Sequence, residues 1–386
     1  MDRGVRCRVP TPRATLGRGF RRADSSTRQF DMSRLTWLPG ARSGGLLALG
    51  VLLAGLGPAS PGVEVGPDHR AEVVVTGIPR PVQLALDGAG HLVVLSHGWR
   101  GDAAAKLYRL ELAALPLDAT RLPRVVVPFT EAHRQVAFGS LALDPGSGDL
   151  YLGEENGNRV YRLSAGGRLA LFGIGLNQLL GGSSLALDRE GRLVVLDYAS
   201  PEAQQRSETP PPASFEGLDA NAYHGPVVFR VDPRDDVPLP RRFDLIPPVL
   251  PAHETPPLHG EPPLYRFISA AITATEDLVL LDSVGQLFEL APGSAPRLLA
   301  RLPAGHYHRT HMAVGPDGSI FVSSGFQIRQ IFRVSPAGAV SVVVANLGDP
   351  EGIAVDGAGD LFVAENALHR VIRIRPAVTP PPPSPR

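Results

Sequence analysis

Lysine is all but missing from this chain of 386 residues: Lys106 stands alone among 38 basic side chains, the rest being arginine. Schiff-base chemistry is excluded unless that one residue carries it. Cysteine is as scarce. Cys7, near the N-terminus, is the single copy, so the fold has neither a disulfide framework nor a thiolate nucleophile. No charge excess marks the whole chain, but the first sixty residues hold ten Arg and three Asp. Without them 28 basic and 35 acidic residues remain, a balance near −7. An acidic surface without an Arg/Lys stripe argues against nucleic acid and anionic membrane as partners. No apolar run reaches the roughly 20 residues that a membrane-spanning helix needs.

The longest such run has another use. Residues 1–31 carry eight Arg and three Asp with little apolar periodicity, so they are expected to be disordered or an over-extended gene start. Met32 opens a stretch with Arg34 and Arg42, the apolar run GGLLALGVLLAGLG (44–57), then Pro-Ala-Ser. A charged start, a short apolar core and a small-residue site predict a signal peptide over 32–60, cut after Ala59, and a secreted or periplasmic protein.

What the chain has in abundance is internal repetition. Residues 73–97, VVVTGIPRPVQLALDGAGHLVVLSH, match 342–366, VVVANLGDPEGIAVDGAGDLFVAEN, without a gap. Six copies can be anchored on Ala85, Ala142, Ala186, Ala271, Ala313 and Ala354, each followed seven or eight residues later by Leu92, Leu150, Leu193, Leu278, Ile320 and Leu361. Between them lie Asp and Gly turns such as Asp87-Gly88, the chemistry of a tight hairpin. A third, alternating strand follows (KLYRL, NRVYRL, VVFRV, GQLFEL, RQIFRV, HRVIRI), and RLALFG and AVSVVVANLG suggest a fourth. Six four-stranded antiparallel units predict an all-β, six-bladed propeller over 71–376. The small anchor suits the crowded inner edge of a wedge-shaped blade.

Closure is predicted from the ends. The last copy runs into the Pro-rich tail 377–386 with three strands, while EVVVT (72–76) aligns with SVVVA (341–345) and would complete the sixth blade against 370–375. The anchor leucines are spaced 58, 43, 85, 42 and 41 residues apart. The long gap is expected to hold two Pro-rich insertions in blade three, 199–225 and 233–263, since proline lacks the donor that a central ladder needs.

Strand alternation places a site at one mouth of the channel. Residues closing the second strands are Ser96, Glu154, Asp197, Asp282, Ser324 and Glu365; those opening the first strands are Gln83, Ser140, Ser184, Ser269, His311 and Gly352. With them come His97, Tyr198, Arg309 and, from the insertion, His224. A turn carboxylate often only accepts backbone N–H bonds, and Glu154 with Arg159 and Glu365 with Arg370 have the spacing of such fasteners. Asp197, Asp282 and His311 remain as a candidate divalent-metal set, calcium or zinc. GHYHRTH (305–311) gathers three histidines and an arginine ahead of a first strand.

The sixth copy, PEGIAVDGAGDLFVAENALHRVIRI, and the second, SLALDPGSGDLYLGEENGNRVYRL, resemble the NHL-repeat consensus, so the chain is similar to NHL-type six-bladed propellers of the gluconolactonase-like superfamily. That resemblance implies the fold; NHL repeats serve binding modules and enzymes alike. Gluconolactonase-like hydrolases hold a metal through Glu, Asn and Asp, of which Asp282 matches the Asp, but the first-strand column supplies neither Glu nor Asn. Amidating lyases use three histidines, a role open to His97, His224 and His311. LPAGHYHRTHMAVGPDGSIFVSSG resembles a segment of quinone sugar dehydrogenases. The incomplete metal set favours a monomeric binding module for a small molecule, peptide or protein at the mouth; a metal-dependent hydrolase or lyase is the alternative, with a quinone dehydrogenase behind it.

Overall fold

The structure, a computed structural model, describes residues 62–97, 105–122, 125–126, 136–155, 157–177, 184–199, 225–249, 266–291 and 294–376. Short apolar strands separated by Asp/Gly turns build six antiparallel sheets, and these are the blades of a six-bladed propeller. Blade one holds Pro81–Leu86, His91–Ser96, Lys106–Glu111 and Val125–Val126; blade two Phe138–Leu143, Leu150–Glu154, Arg159–Leu163 and Leu169–Ile174. Blade three has Leu185–Leu187, Leu193–Ala199 and Gly225–Val231. Blade four has Phe267–Ile272, Leu278–Asp282, Gln286–Leu290 and Arg297–Arg301. Blade five runs Met312–Val314, Ile320–Ser323, Ile331–Val334 and Val340–Ala345, and blade six Pro350–Val355, Leu361–Glu365 and Arg370–Pro376.

The fourth strand of blade six is His69–Thr76, paired antiparallel with Arg370–Pro376 from His69 opposite Pro376 to Thr76 opposite Arg370. The ends of the fold are thus sewn into one sheet, and no lateral gap is left at the seam. Around the axis each first strand touches the first strand of the next blade, and that of blade six touches that of blade one.

The core is divided. Six apolar clusters lie one at each blade interface, and each anchor alanine sits in a different one: Ala142 between blades two and three, Ala354 between six and one, Ala271 between four and five. Ala85, Ala186 and Ala313 pack against the other three. A side chain larger than methyl at these positions would wedge neighbouring inner strands apart.

Outer strands are covered in places. Glu64–Val65 extends blade five, Leu117–Asp118 lies parallel to His69–Thr76 on blade six, and Arg241–Arg242 lies parallel to Leu169–Ile174 on blade two. Of the expected insertions, 200–224 and 250–263 fall outside the described residues, as do 1–61 and 377–386. The stretch 233–249 forms turns, the Arg241–Arg242 strand and a 3-10 turn, Phe243–Leu245, and the Val249 N–H donates to the Val228 carbonyl.

Candidate functional site

The first strands carry a recurrent irregularity near their start. In blades one, two, four and six the pairing with the second strand slips by one residue, between Pro81 and Gln83, Phe138 and Ser140, Phe267 and Ser269, and Pro350 and Ile353. Each slip is a β-bulge, and a bulge re-aims the side chains beside it. Residues before the bulge therefore face differently from what strict alternation gives.

The acidic residues closing the second strands turn out to be fasteners. Asp282 is fully buried; its Oδ1 accepts the N–H groups of Val284 (3.0 Å) and Gln286 (2.8 Å), and its Oδ2 accepts the Gln286 side-chain amide at 2.7 Å. Asp197 accepts the backbone and side-chain N–H groups of Asn177 and the N–H of Tyr198. Glu365 takes the Gly348 N–H at 2.7 Å and pairs with Arg370. The Glu154 carboxylate lies over Gly157, where a Cβ would come within 2.6 Å of it, with Arg159 at 4.0 Å. Asp282, Asp197 and Glu365 each tie a turn to its own or the neighbouring loop.

His311 is also committed. Its Nδ1 accepts the Ile353 N–H at 2.9 Å, which leaves the ring proton on Nε2, and burial lowers its pKa to about 4. Asp197, Asp282 and His311 are each engaged by protein donors and are not brought together as a metal set: no group of three metal-ligating side chains occurs among the described residues. His224 lies outside the described residues.

One residue beyond the fasteners the picture changes. His97 and Glu155 follow Ser96 and Glu154, and their side chains meet, Nε2 to Oε2 at 3.5 Å. Arg309, entering blade five, reaches Glu155 of blade two with Nη2–Oε2 at 3.0 Å, a pair between blades on opposite sides of the ring. Tyr198 follows Asp197, and the Arg266 guanidinium lies 4.3 Å from the centre of its ring. Of the candidates in the sequence, His97 and Arg309 are brought together on Glu155; Tyr198 is held by Arg266.

Glu351, the bulged residue of blade six, completes the group. It is 4% exposed, and burial pushes its pKa well above the usual value; the charges of Arg309 and Arg80 oppose this, while Asp349 and Glu155 add to it. Glu155 is pushed the other way. Burial would raise it, but the adjacent His97 ring and the charge of Arg309 outweigh that and hold it below the ordinary range. His308 is lowered by burial and by Arg309, with Glu155 opposing, and Asp349 is raised by burial. Arg80, Arg309 and Asp349 all have left-handed backbone, φ 47°, 53° and 59°. Such strain in non-glycine residues gathers where side chains must be aimed.

Along the inner strands, Gln83, Ser140 and Ser269 form a polar collar. All three are buried, and both polar atoms of Gln83 and the hydroxyls of Ser140 and Ser269 have no hydrogen-bond partner among the described residues. Gly352, in the same column, has no room for a Cβ, which would meet Gln83 Cα at 2.6 Å and Leu84 N at 2.8 Å.

The sequence contained a signal for the missed residues. Five positions before the anchor alanine stand Arg80, Arg266, His308 and Asp349, a column charged or titratable in four of six copies with no turn to explain it.

No protein-family model and no characterised protein sequence matches the chain. Solved structures do. A pyranose dehydrogenase PQQ domain from Coprinopsis cinerea superposes with a TM-score of 0.56 at 12% identity, over 83% of this chain and 98% of that one. A gluconolactonase from Xanthomonas campestris gives 0.53 at 16%, over 83% and 98%, and a Trichoderma reesei enzyme of carbohydrate-active family AA12 gives 0.52 at 11%, over 84% and 100%. The likeness is one of fold.

Proposed function

We propose that this chain is an exported NHL-type propeller that binds a small polar ligand at one mouth of its channel. One observation carries the reading: Arg309 of blade five and His97 of blade one both reach Glu155 of blade two, at 3.0 and 3.5 Å from its Oε2, and Arg80, Arg266, His308, Asp349 and Glu351 bring further titratable groups from blades one, four, five and six near enough to bear on the charges there. Charged groups are costly to bury and are rarely gathered from five blades for stability alone. Buried amide and hydroxyl groups on the inner strands, without partners among the described residues, add hydrogen-bonding capacity.

A thermal-shift screen of small metabolites against the purified chain tests this. Ligands that raise the melting temperature of the wild type should fail to raise that of Glu155→Gln or Arg309→Gln. Ligands whose effect survives both substitutions bind elsewhere and overturn the assignment.

A catalytic reading is favoured by a separate feature. Glu155, shifted towards its ionised form, and Glu351, shifted towards its protonated form, have the opposed tendencies of an acid–base pair. Turnover of gluconolactone by the wild type, lost in Glu351→Gln, is the measurement that would support it.

A further inference from the structure

The contact between Arg309 and Glu155 crosses the channel. Their blades, five and two, stand opposite each other in a ring of six, so a bond between them passes over the axis. Local structure leads both side chains inward. Glu155 follows the end of Leu150–Glu154, donates its backbone N–H to the Ala137 carbonyl at 3.0 Å, and lays its carboxylate over Gly139 of the innermost strand. A Cβ on Gly139 would come within 2.6 Å of Glu155 Cδ, and the backbone of Gly139 is not left-handed, so this glycine is explained by the side chain it admits. His97 of blade one stands beside the same carboxylate, with Nε2 3.5 Å from Oε2.

On the far side, the loop that presents Arg309 is clamped. The Tyr307 N–H donates to the Ser283 carbonyl at 3.0 Å and the Tyr307 hydroxyl to the Pro303 carbonyl at 2.8 Å, and Tyr307 and Thr310 are both fully buried. The guanidinium itself is held more loosely. It meets Glu155 through one hydrogen bond, Nη2 to Oε2 at 3.0 Å, rather than through the two parallel bonds that make an arginine–carboxylate pair hard to break. A rigid frame thus carries a movable bar.

The bar also marks a boundary between wet and dry. The side chains of Arg309 and Glu155 are 26% and 18% exposed. Along the inner strands, solvent does not reach the amide of Gln83 or the hydroxyls of Ser140 and Ser269, none of which has a hydrogen-bond partner among the described residues. Dry polar groups without partners are costly, and wetting them removes that cost, so the collar favours a transient opening above it.

We propose that Arg309 and Glu155 form a gate across the channel, closed as described here, which opens when the Arg309 side chain swings off Glu155 and admits water and small uncharged solutes to the inner collar. The gate is a property of the pair and does not depend on a ligand at the mouth.

The experiment is to measure how fast a thiol in the collar of the full chain reacts with iodoacetamide, a small uncharged reagent. Cys7→Ser removes the one native thiol. In that background Ser140→Cys and Ser269→Cys are two reporters close in size to the residues they replace, and either alone carries the test. Val279→Cys, fully buried in the apolar cluster between blades four and five, is the control for unfolding. Arg309→Ala and Glu155→Ala should each speed the reporters at least about tenfold and leave the Val279→Cys thiol unchanged, because opening is a local event. Raising sodium chloride from about 0.05 to about 1 M, which screens the pair, should speed the reporters in the background chain and have no effect on them once Arg309→Ala is added. Reporters that react in the background chain as fast as free cysteine show an open channel and overturn the gate. Rates that neither alanine substitution changes overturn it as well. A rise shared equally by the Val279→Cys thiol makes the pair a structural tie, which overturns it too.

Discussion

Glu351 works against the stability of the fold that holds it. Its pKa is raised in the folded state, so between the unfolded and folded values the native protein keeps a proton that the unfolded chain has lost, and stability falls as pH rises through that window. Glu351→Gln, which keeps the shape without the titration, should therefore be more stable than the wild type at pH 7 and equal to it near pH 4. Urea midpoints at the two pH values check this; a loss at pH 7 would mean that the carboxylate is a structural anchor. His311 has the opposite sign. Its folded pKa of about 4 lies below the unfolded 6.5, so the unfolded chain binds the extra proton and stability is lost as pH falls from 6.5 towards 4. At about 1.36 kcal/mol per unit, the effect is at most about 3 kcal/mol. His311→Asn, whose Oδ1 can still accept the Ile353 N–H, should flatten the pH dependence across that interval.

The strand and its turn decide how far a site can be found from sequence. Asp282 joins three donors in one turn, and Asp282→Ala should cost about 3 kcal/mol, because buried N–H groups left without acceptors carry their full desolvation penalty; chemical denaturation measures this, and a change below 0.5 kcal/mol would contradict the fastening role. Six copies, their anchors and their turns were legible because apolar periodicity and Gly/Asp turns are local properties of the chain. So was the sealing strand, through its likeness to 341–345. The mouth was half legible. His97 and Arg309 stood out by chemistry, but alternation counted from the end of the second strand favours Glu154 and misses Glu155. Glu155 lies one residue past the end of its strand, where alternation no longer holds, and Glu351 was hidden by the bulge: one extra residue in the first strand changes which side chains face the axis, and its hydrogen-bond signature is absent from the pattern of apolar residues. Glu351 sits in that extra residue.

At the scale of the molecule, stability is spread over six interfaces of similar make-up, so the ring depends on being complete. The contact that completes it joins residues far apart in sequence, as in the pair of Glu72 and Arg373, separated by 301 positions. Formation of that contact is paid for by closing almost the whole chain as a loop, whose entropy grows only slowly with length. His69 and Pro376 lie directly opposite each other in register. A two-residue turn such as Asn-Gly joining them would convert the seal into an ordinary hairpin. The exposed Ser164–Arg168 turn could then be cut to give new ends, moving the three-plus-one division from blade six to blade two. Such a circular permutant should fold with a melting temperature within a few degrees of the parent, and failure to fold would show that the order of blades along the chain matters. In that sense the propeller is written as a circle, and its first residue is a matter of where the circle was opened.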